Sequence, residues 1–137
     1  MRLKIFRGDP DQERDEVIMF EYRAELIRVI DGDTVVMSLD LGFKTFVVRT
    51  LRLLDIDAPE VRGKRLDPQQ RLKGAESTDH LRSLLASYVP LTVRSQKDKT
   101  GKYGRYLATI MGRDEHGDVF SINDQMVSDG HAVFKSW

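Results

Sequence analysis

Phe20-Glu-Tyr-Arg-Ala-Glu-Leu-Ile-Arg-Val-Ile-Asp-Gly-Asp-Thr34 carries the pattern that decides the fold of this chain. Apolar and charged residues alternate from Phe20 to Leu26, the period of a strand with one buried face. Ile27-Arg-Val-Ile30 then shifts the phase, as a strand does at a bulge. Asp31-Gly-Asp33 is a tight-turn signal, and Thr34 to Leu41 is a second β-rich run. Gly42 marks a further turn before a third run, Phe43 to Ile56. The expectation is a three-stranded meander whose first strand is long and bent.

Downstream the period changes. Asp67-Pro-Gln-Gln70 predicts a helix start, with Asp67 as cap, Pro68 at the first helical position and Gln70 completing a capping box. Leu72, Ala75, Leu81, Leu84, Leu85 and Tyr88 supply its expected buried side. Pro90 stops the helix, Leu91 to Arg94 resumes strand character, and Arg105 to Met111 reads as the fifth strand. Ser121-Ile-Asn-Asp124 caps a short second helix that Gly130 should end. The order βββ-α-ββ-α predicts a mainly β protein with helices (α+β), an OB-fold barrel of five strands that removes its edges by closure. A split α+β sheet is the alternative.

Composition bounds the rest. At 137 residues and 40% hydrophobic content, the chain suits one domain with a real core, expected over 17–137 behind a polar extension of residues 1–16. No cysteine means no disulfide or thiolate zinc site, and His80, His116 and His131 are too far apart in sequence for a local metal motif. No run has the length and apolarity of a signal peptide or a membrane span, so a soluble, cytoplasmic protein is expected as the chain is written, or a secreted or periplasmic one if an N-terminal signal has been removed.

Lys plus Arg equals Asp plus Glu at 22 each, yet the charge is segregated. Residues 61–73 hold Arg62, Lys64, Arg65, Arg71 and Lys73 against Asp67, and residues 94–105 hold five cations against Asp98. Residues 9–16 carry five acids against Arg14. Such segregation can set a basic face for a polyanion beside an acidic pocket, or be no more than a solvated surface.

The acids that matter stand at strand ends: Asp31 and Asp33 in the first turn, Asp57 and Glu60 after Arg52-Leu-Leu-Asp-Ile-Asp-Ala-Pro-Glu60. Phosphodiester cleavage needs a hard cation held by oxygens, a carboxylate to position or deprotonate water, and guanidinium groups for the charge that builds on phosphorus. All three kinds of group are present. By itself an Asp-Gly-Asp turn is more often a solvated loop, and Arg52 in its apolar run could be one half of a structural ion pair, with Glu60 a plausible partner. Strict alternation would set Arg52 and Asp57 on opposite faces, so the strand must bulge or end between them.

Val29-Ile-Asp-Gly-Asp-Thr34, Arg52 to Glu60 and Lys102-Tyr-Gly-Arg105, in that order, resemble the staphylococcal nuclease (thermonuclease) family over about Leu26 to Gly130. The resemblance implies Asp33, Asp57 and the main-chain carbonyl of Ala58 as ligands of calcium, with Asp31 behind them tuning charge or bonding the turn. It implies Glu60 as the residue that orients or deprotonates water, Arg52 and Arg105 as phosphate-binding catalytic groups, and Lys102 and Tyr103 as contacts to the terminal phosphate, sugar or base. Oxygen ligands alone would also accept magnesium or manganese. The implied activity is sugar-nonspecific cleavage of DNA and RNA, single-stranded or locally unpaired, by a monomer without a membrane partner, giving 3′-phosphate products. Ala58 stands where the best-known members have threonine, and their nucleotide-contacting tyrosines have no counterpart before Trp137. The rival expectation is a catalytically silent OB module that binds nucleic acid or protein.

Overall fold

The structure, a computed structural model, describes residues 2–6, 17–61, 63, 65–100 and 105–135. The sheet starts ahead of Val17: β1 (Arg2–Phe6) runs antiparallel to the beginning of β2 (Val17–Asp31), with Leu3 opposite Phe20. Five residues are too few to establish a period, so pairing with β2 decides this element. The expected long bent strand is β2, and its register slips between Leu26 and Arg28 and again between Val29 and Asp31. These bulges let Leu26 and Val29, three apart, both pack on the core.

β3 (Thr34–Asp40) sends Val35, Met37 and Leu39 into the core at every second position, with Thr34 and Val36 of the opposite face buried as well, and β4 (Phe46–Leu53) ends in buried Leu51, Arg52 and Leu53. The third expected run therefore splits at a turn over Leu54 and Asp55, and β5 (Ile56–Asp57) leaves in a new direction. α1 (Pro68–Ser87) follows, with the capping box as expected: the Gln70 N–H donates to Asp67 Oδ1 at 2.8 Å, and the Asp67 N–H donates to Gln70 Oε1 at 2.9 Å. β6 (Leu91–Thr100), β7 (Tyr106–Arg113), β8 (Val119–Ser121), α2 (Ile122–Ser128) and β9 (Val133–Phe134) complete the chain. Ser121 caps α2 through the Asp124 N–H, and Gly130 at φ 81° ends it.

β2, β3, β4, β7 and β6 are neighbours in that order, and β6 returns to β2, closing a five-stranded OB-fold barrel in which only β4 and β7 run parallel. Closure removes the split-sheet alternative. At the closing seam Glu21 and Arg94 are direct cross-strand partners, and Arg94 Nε donates to Glu21 Oε1 at 2.9 Å. One cation of the basic 94–105 run is thus engaged in the barrel itself.

Helix α1 turns a different face inward than its large residues suggest. Leu81, Leu84 and Leu85 are buried as expected, but Leu72 is 58% exposed and Ala75 is exposed, while Gly74, Ser77 and Thr78 are buried. The N-terminal half of α1 lies so close to neighbouring backbone that only small residues fit beneath it. His80 and His131, 51 positions apart in the sequence, stack with ring centroids 4.2 Å apart. His80 Nε2 also meets Asp129 Oδ2 at 2.7 Å, a hydrogen bond that holds the Asp129 carboxyl below its ordinary range and ties α1 to the end of α2. None of the described helices is long and apolar enough to cross a membrane.

Candidate active site

The turn between β2 and β3 is shaped from within. The Asp33 N–H donates to Asp31 Oδ1 at 3.1 Å, an Asx-type closure that fixes the second carboxylate relative to the first. Gly32 between them faces α1, and any Cβ there would overlap Ser77 Oγ and the Ala58 side chain. Ser77 Oγ in turn donates to the His131 carbonyl at 2.7 Å. The acidic turn is therefore pressed between the Ala58 segment and the helix.

Arg52 is 5% exposed and is fixed from four directions. Nη1 donates to the Leu53 carbonyl at 3.0 Å and to the Ile56 carbonyl at 2.9 Å. Nη2 lies 3.1 Å from Asp33 Oδ2 and 3.1 Å from Asp57 Oδ1. A buried guanidinium requires such compensation, and two carboxylates, one from the β2–β3 turn and one from β5, supply it.

Asp57 reaches Arg52 because the chain turns between them. Asp55 adopts a left-handed φ of 64°, which directs Ile56 and Asp57 back toward the end of β4. The turn is clamped from outside: Asn123 Nδ2 donates to the carbonyls of Leu54 and Ala108 at 3.1 Å each, and its Oδ1 accepts the Ile110 N–H at 3.1 Å. The Lys135 N–H donates to the Asp55 carbonyl at 2.8 Å. Asn123 gave no signal in the sequence beyond its place inside a capping motif. Its importance lies in three partners brought together by the fold.

Among the described acids Asp33 is the most perturbed. Burial, followed by the hydrogen bond and negative charge of Asp31, pushes its pKa up to about 7, against the opposing Ala58 N–H at 2.8 Å and the Arg52 charge. Two neighbouring acids of which one resists ionisation make a site short of positive charge, and the donors are all oxygens, the set that suits a hard divalent cation. Among the described residues no three His, Cys, Asp or Glu side chains converge enough to cage an ion by themselves. An ion here would complete its shell with main-chain carbonyl, water and substrate oxygens.

Glu60 is exposed and lines a cavity of about 450 Å³ shared with Arg28, Val29, Ile30, Asp31 and Val61. Arg28 was not singled out by sequence, because one arginine in an alternating strand looks like any solvated charge. Glu60's backbone is positioned by α1: a Cβ on Gly74 would collide with the Glu60 carbonyl. Gly74→Ala is expected to lower stability by about 1–3 kcal/mol in urea unfolding, although alanine is the better helix former by about 1 kcal/mol. A variant of equal or greater stability would contradict this close approach.

Arg105, just before β7, places Nη1 3.4 Å from Thr34 Oγ1, which donates to Asp33 Oδ1 at 3.0 Å. Thr34 thus links the second arginine to the buried acid. Arg52, Asp33, Asp57 and Ala58 are drawn together at one end of the barrel, Arg105 joins them through Thr34, and Asp31 and Glu60 border the adjoining cavity. Lys102 and Tyr103 lie outside the described residues, as do Arg62 and Lys64 of the first basic run.

Residues 50–137 match the family described as staphylococcal nuclease homologue. Endonuclease YhcR of Bacillus subtilis (strain 168) is 29% identical over 117 residues, covering 82% of this chain and 9% of the endonuclease. An uncharacterized protein of Bacillus anthracis is 30% identical over 111 residues, covering 81% of this chain and 46% of that protein. The chain thus spans less than half the length of either relative.

Proposed function

Because the chain belongs to the family of staphylococcal nuclease homologues, we propose that it is a calcium-dependent nuclease that hydrolyses phosphodiester bonds of DNA and RNA. The observation that carries this reading is Arg52 Nη2 at 3.1 Å from both Asp33 and Asp57, beside a cavity that Glu60 and Arg28 share. A buried acid with a half-exposed partner to hold a cation, a buried arginine for the charge on phosphorus and an exposed acid for water are the kinds of group that attack on phosphorus requires.

In this reading Asp33, Asp57 and the Ala58 carbonyl hold calcium, with Asp31 maintaining the turn. When bound, the ion supplies positive charge for the phosphate and its crowded transition state. Glu60 accepts a proton from water as the new oxygen–phosphorus bond forms. Arg52 and Arg105 balance the charge on the non-bridging oxygens. The bond to the 5′-oxygen breaks, and that oxygen takes a proton from solvent water, leaving 3′-phosphate and 5′-hydroxyl ends. Arg105 is linked to Asp33 through Thr34, whereas Arg52 meets Asp33 and Asp57 directly.

The elevated Asp33 pKa has a sign that can be tested. Its folded value, about 7, lies above that of an ordinary carboxyl, so ionising Asp33 costs stability as pH rises toward and through 7. A cation needs the ionised form and must displace the proton below that pH. Apparent calcium affinity is expected to fall by about tenfold per pH unit below pH 7 and to level off above it, read by calorimetric titration or by the calcium-induced rise in melting temperature. A flat profile between pH 5 and 8 would remove Asp33 from the ligand set.

The deep engagement of Arg52 by groups of its own chain favours the second reading, an OB module that binds without cutting. One assay separates the two: cleavage of labelled single-stranded DNA and RNA with calcium, magnesium or chelator, and with Glu60→Gln as control. Calcium-dependent cutting lost in the variant supports the nuclease. Binding without cutting under every metal supports the silent module.

A further inference from the structure

Phe43 is fully exposed at the tip of the β3–β4 hairpin, and it and Lys44 take left-handed φ values of 54° and 59°. The Thr45 N–H donates to the Gly42 carbonyl at 2.9 Å, closing a two-residue type I′ turn. Those two positions favour Asn and Gly, and residues with a Cβ resist them. Here a strained turn presents an aromatic ring to water with no packing to reward it, the circumstance in which strain points to use.

The turn stands beyond the far end of a cross-strand strip whose exposed apolar members are Val48 and Phe46. Cross-strand register on the outer barrel face sets Asp31, Thr34 and Arg52 in one row, followed by rows of Arg28, Val36 and Thr50, then Glu25, Ser38 and Val48, then Arg23, Asp40 and Phe46. Val48 is 54% and Phe46 60% exposed. The strip starts at the candidate active site, where Arg28 lines the cavity with Glu60, and runs about 20 Å along β4 at a strand's rise of about 3.3 Å per residue. Exposed Arg23, Arg28 and Lys44 outnumber the exposed Glu25 on this face, and Asp40 is occupied by the Gly42 N–H at 2.8 Å.

We propose that this strip is a track for single-stranded nucleic acid, on which Phe46 and Phe43 stack bases of the strand held at the active site, while Arg23, Arg28 and Lys44 follow its phosphates. Aromatic rings interleaved with cations suit unpaired bases, since every base offers a π-face and its backbone a regular run of charge. The proposal rests on the nuclease reading for the strand's other end.

The test is fluorescence anisotropy of labelled oligothymidylates of roughly 4 and roughly 12 nucleotides, lengths within the range that single OB folds occupy, with the full chain in chelator. The longer strand should bind more tightly to the wild type, and the Phe43→Ala/Phe46→Ala double variant should lose that advantage by about tenfold or more. Phe43→Trp should keep it and Phe43→Leu should not, because stacking needs a ring rather than apolar surface. Phe43→Asn should raise the melting temperature yet weaken long-strand binding, which excludes misfolding as the cause. Equal affinity of wild type and double variant for the long strand would overturn the track. No cleavage is involved, so the two readings fail separately. A chain that binds long strands through these rings but never cuts sinks only the nuclease, and one that cuts while ignoring both rings sinks only the track.

Discussion

Glu60→Gln is expected to lower turnover on single-stranded DNA by about 10²–10⁴-fold while leaving the unfolding transition nearly unchanged. The change keeps size and hydrogen-bonding shape and removes only the ability to accept a proton. Glu60 is exposed at a cavity edge, and what the fold needs there is its backbone carbonyl, against which Gly74 packs. Stability and activity should therefore separate cleanly. Affinity for a nucleotide product should be retained, so the loss should appear in kcat rather than KM. Normal turnover would show that water is activated elsewhere and would leave Glu60 as a surface acid. Parallel loss of folding and activity would show that the carboxylate is structural.

Arg52→Ala is expected to fail in both respects. Breaking a buried ion pair from one side costs about 3–5 kcal/mol, because the remaining carboxylates lose their counter-charge and two carbonyls lose a donor. The cost should depend on pH with a definite sign. The guanidinium lowers the Asp33 pKa, so without it Asp33 holds its proton to still higher pH. A folded pKa above the unfolded one means stability is lost as pH rises, so the variant should be penalised more at pH 8 than at pH 5 in urea unfolding. Arg52→Lys should recover part of the stability but little activity, with turnover down about 10²–10³-fold, since a single ammonium cannot meet two carboxylates and two carbonyls at once. Wild-type stability for Arg52→Ala at pH 8 would mean that the Asp33 and Asp57 contacts contribute nothing to the fold.

The barrel itself was legible because its signals are local. Alternation through Phe20 to Leu26, the phase slip before Asp31, the reciprocal bonds of Asp67 and Gln70, and Gly130 after α2 each depend on residues within a turn or a few positions of one another. The candidate site was legible as a set of residue types in order, with roles carried by resemblance. Its geometry was not legible. Alternation alone would have set Arg52 and Asp57 on opposite faces, and the left-handed Asp55, clamped by Asn123 and the Lys135 N–H, reverses that outcome. The inward face of α1 was misjudged for the same reason: hydrophobicity favoured Leu72, but the nearby Glu60 and Gly32 backbones leave room only for Gly74 and Ser77.

The sequence alone thus determined strand and helix identity, caps, turns and the inventory of acids and arginines, because propensity and periodicity act between near neighbours. Only the tertiary structure decided that Arg52 would sit between two carboxylates, that burial beside Asp31 would lift Asp33, that His80 would stack on His131, and that Phe43 would stand in water beyond the face that carries Val48 and Phe46. Each of those outcomes depends on packing, desolvation or register between segments distant in the chain, and such interactions exist only once the barrel has closed.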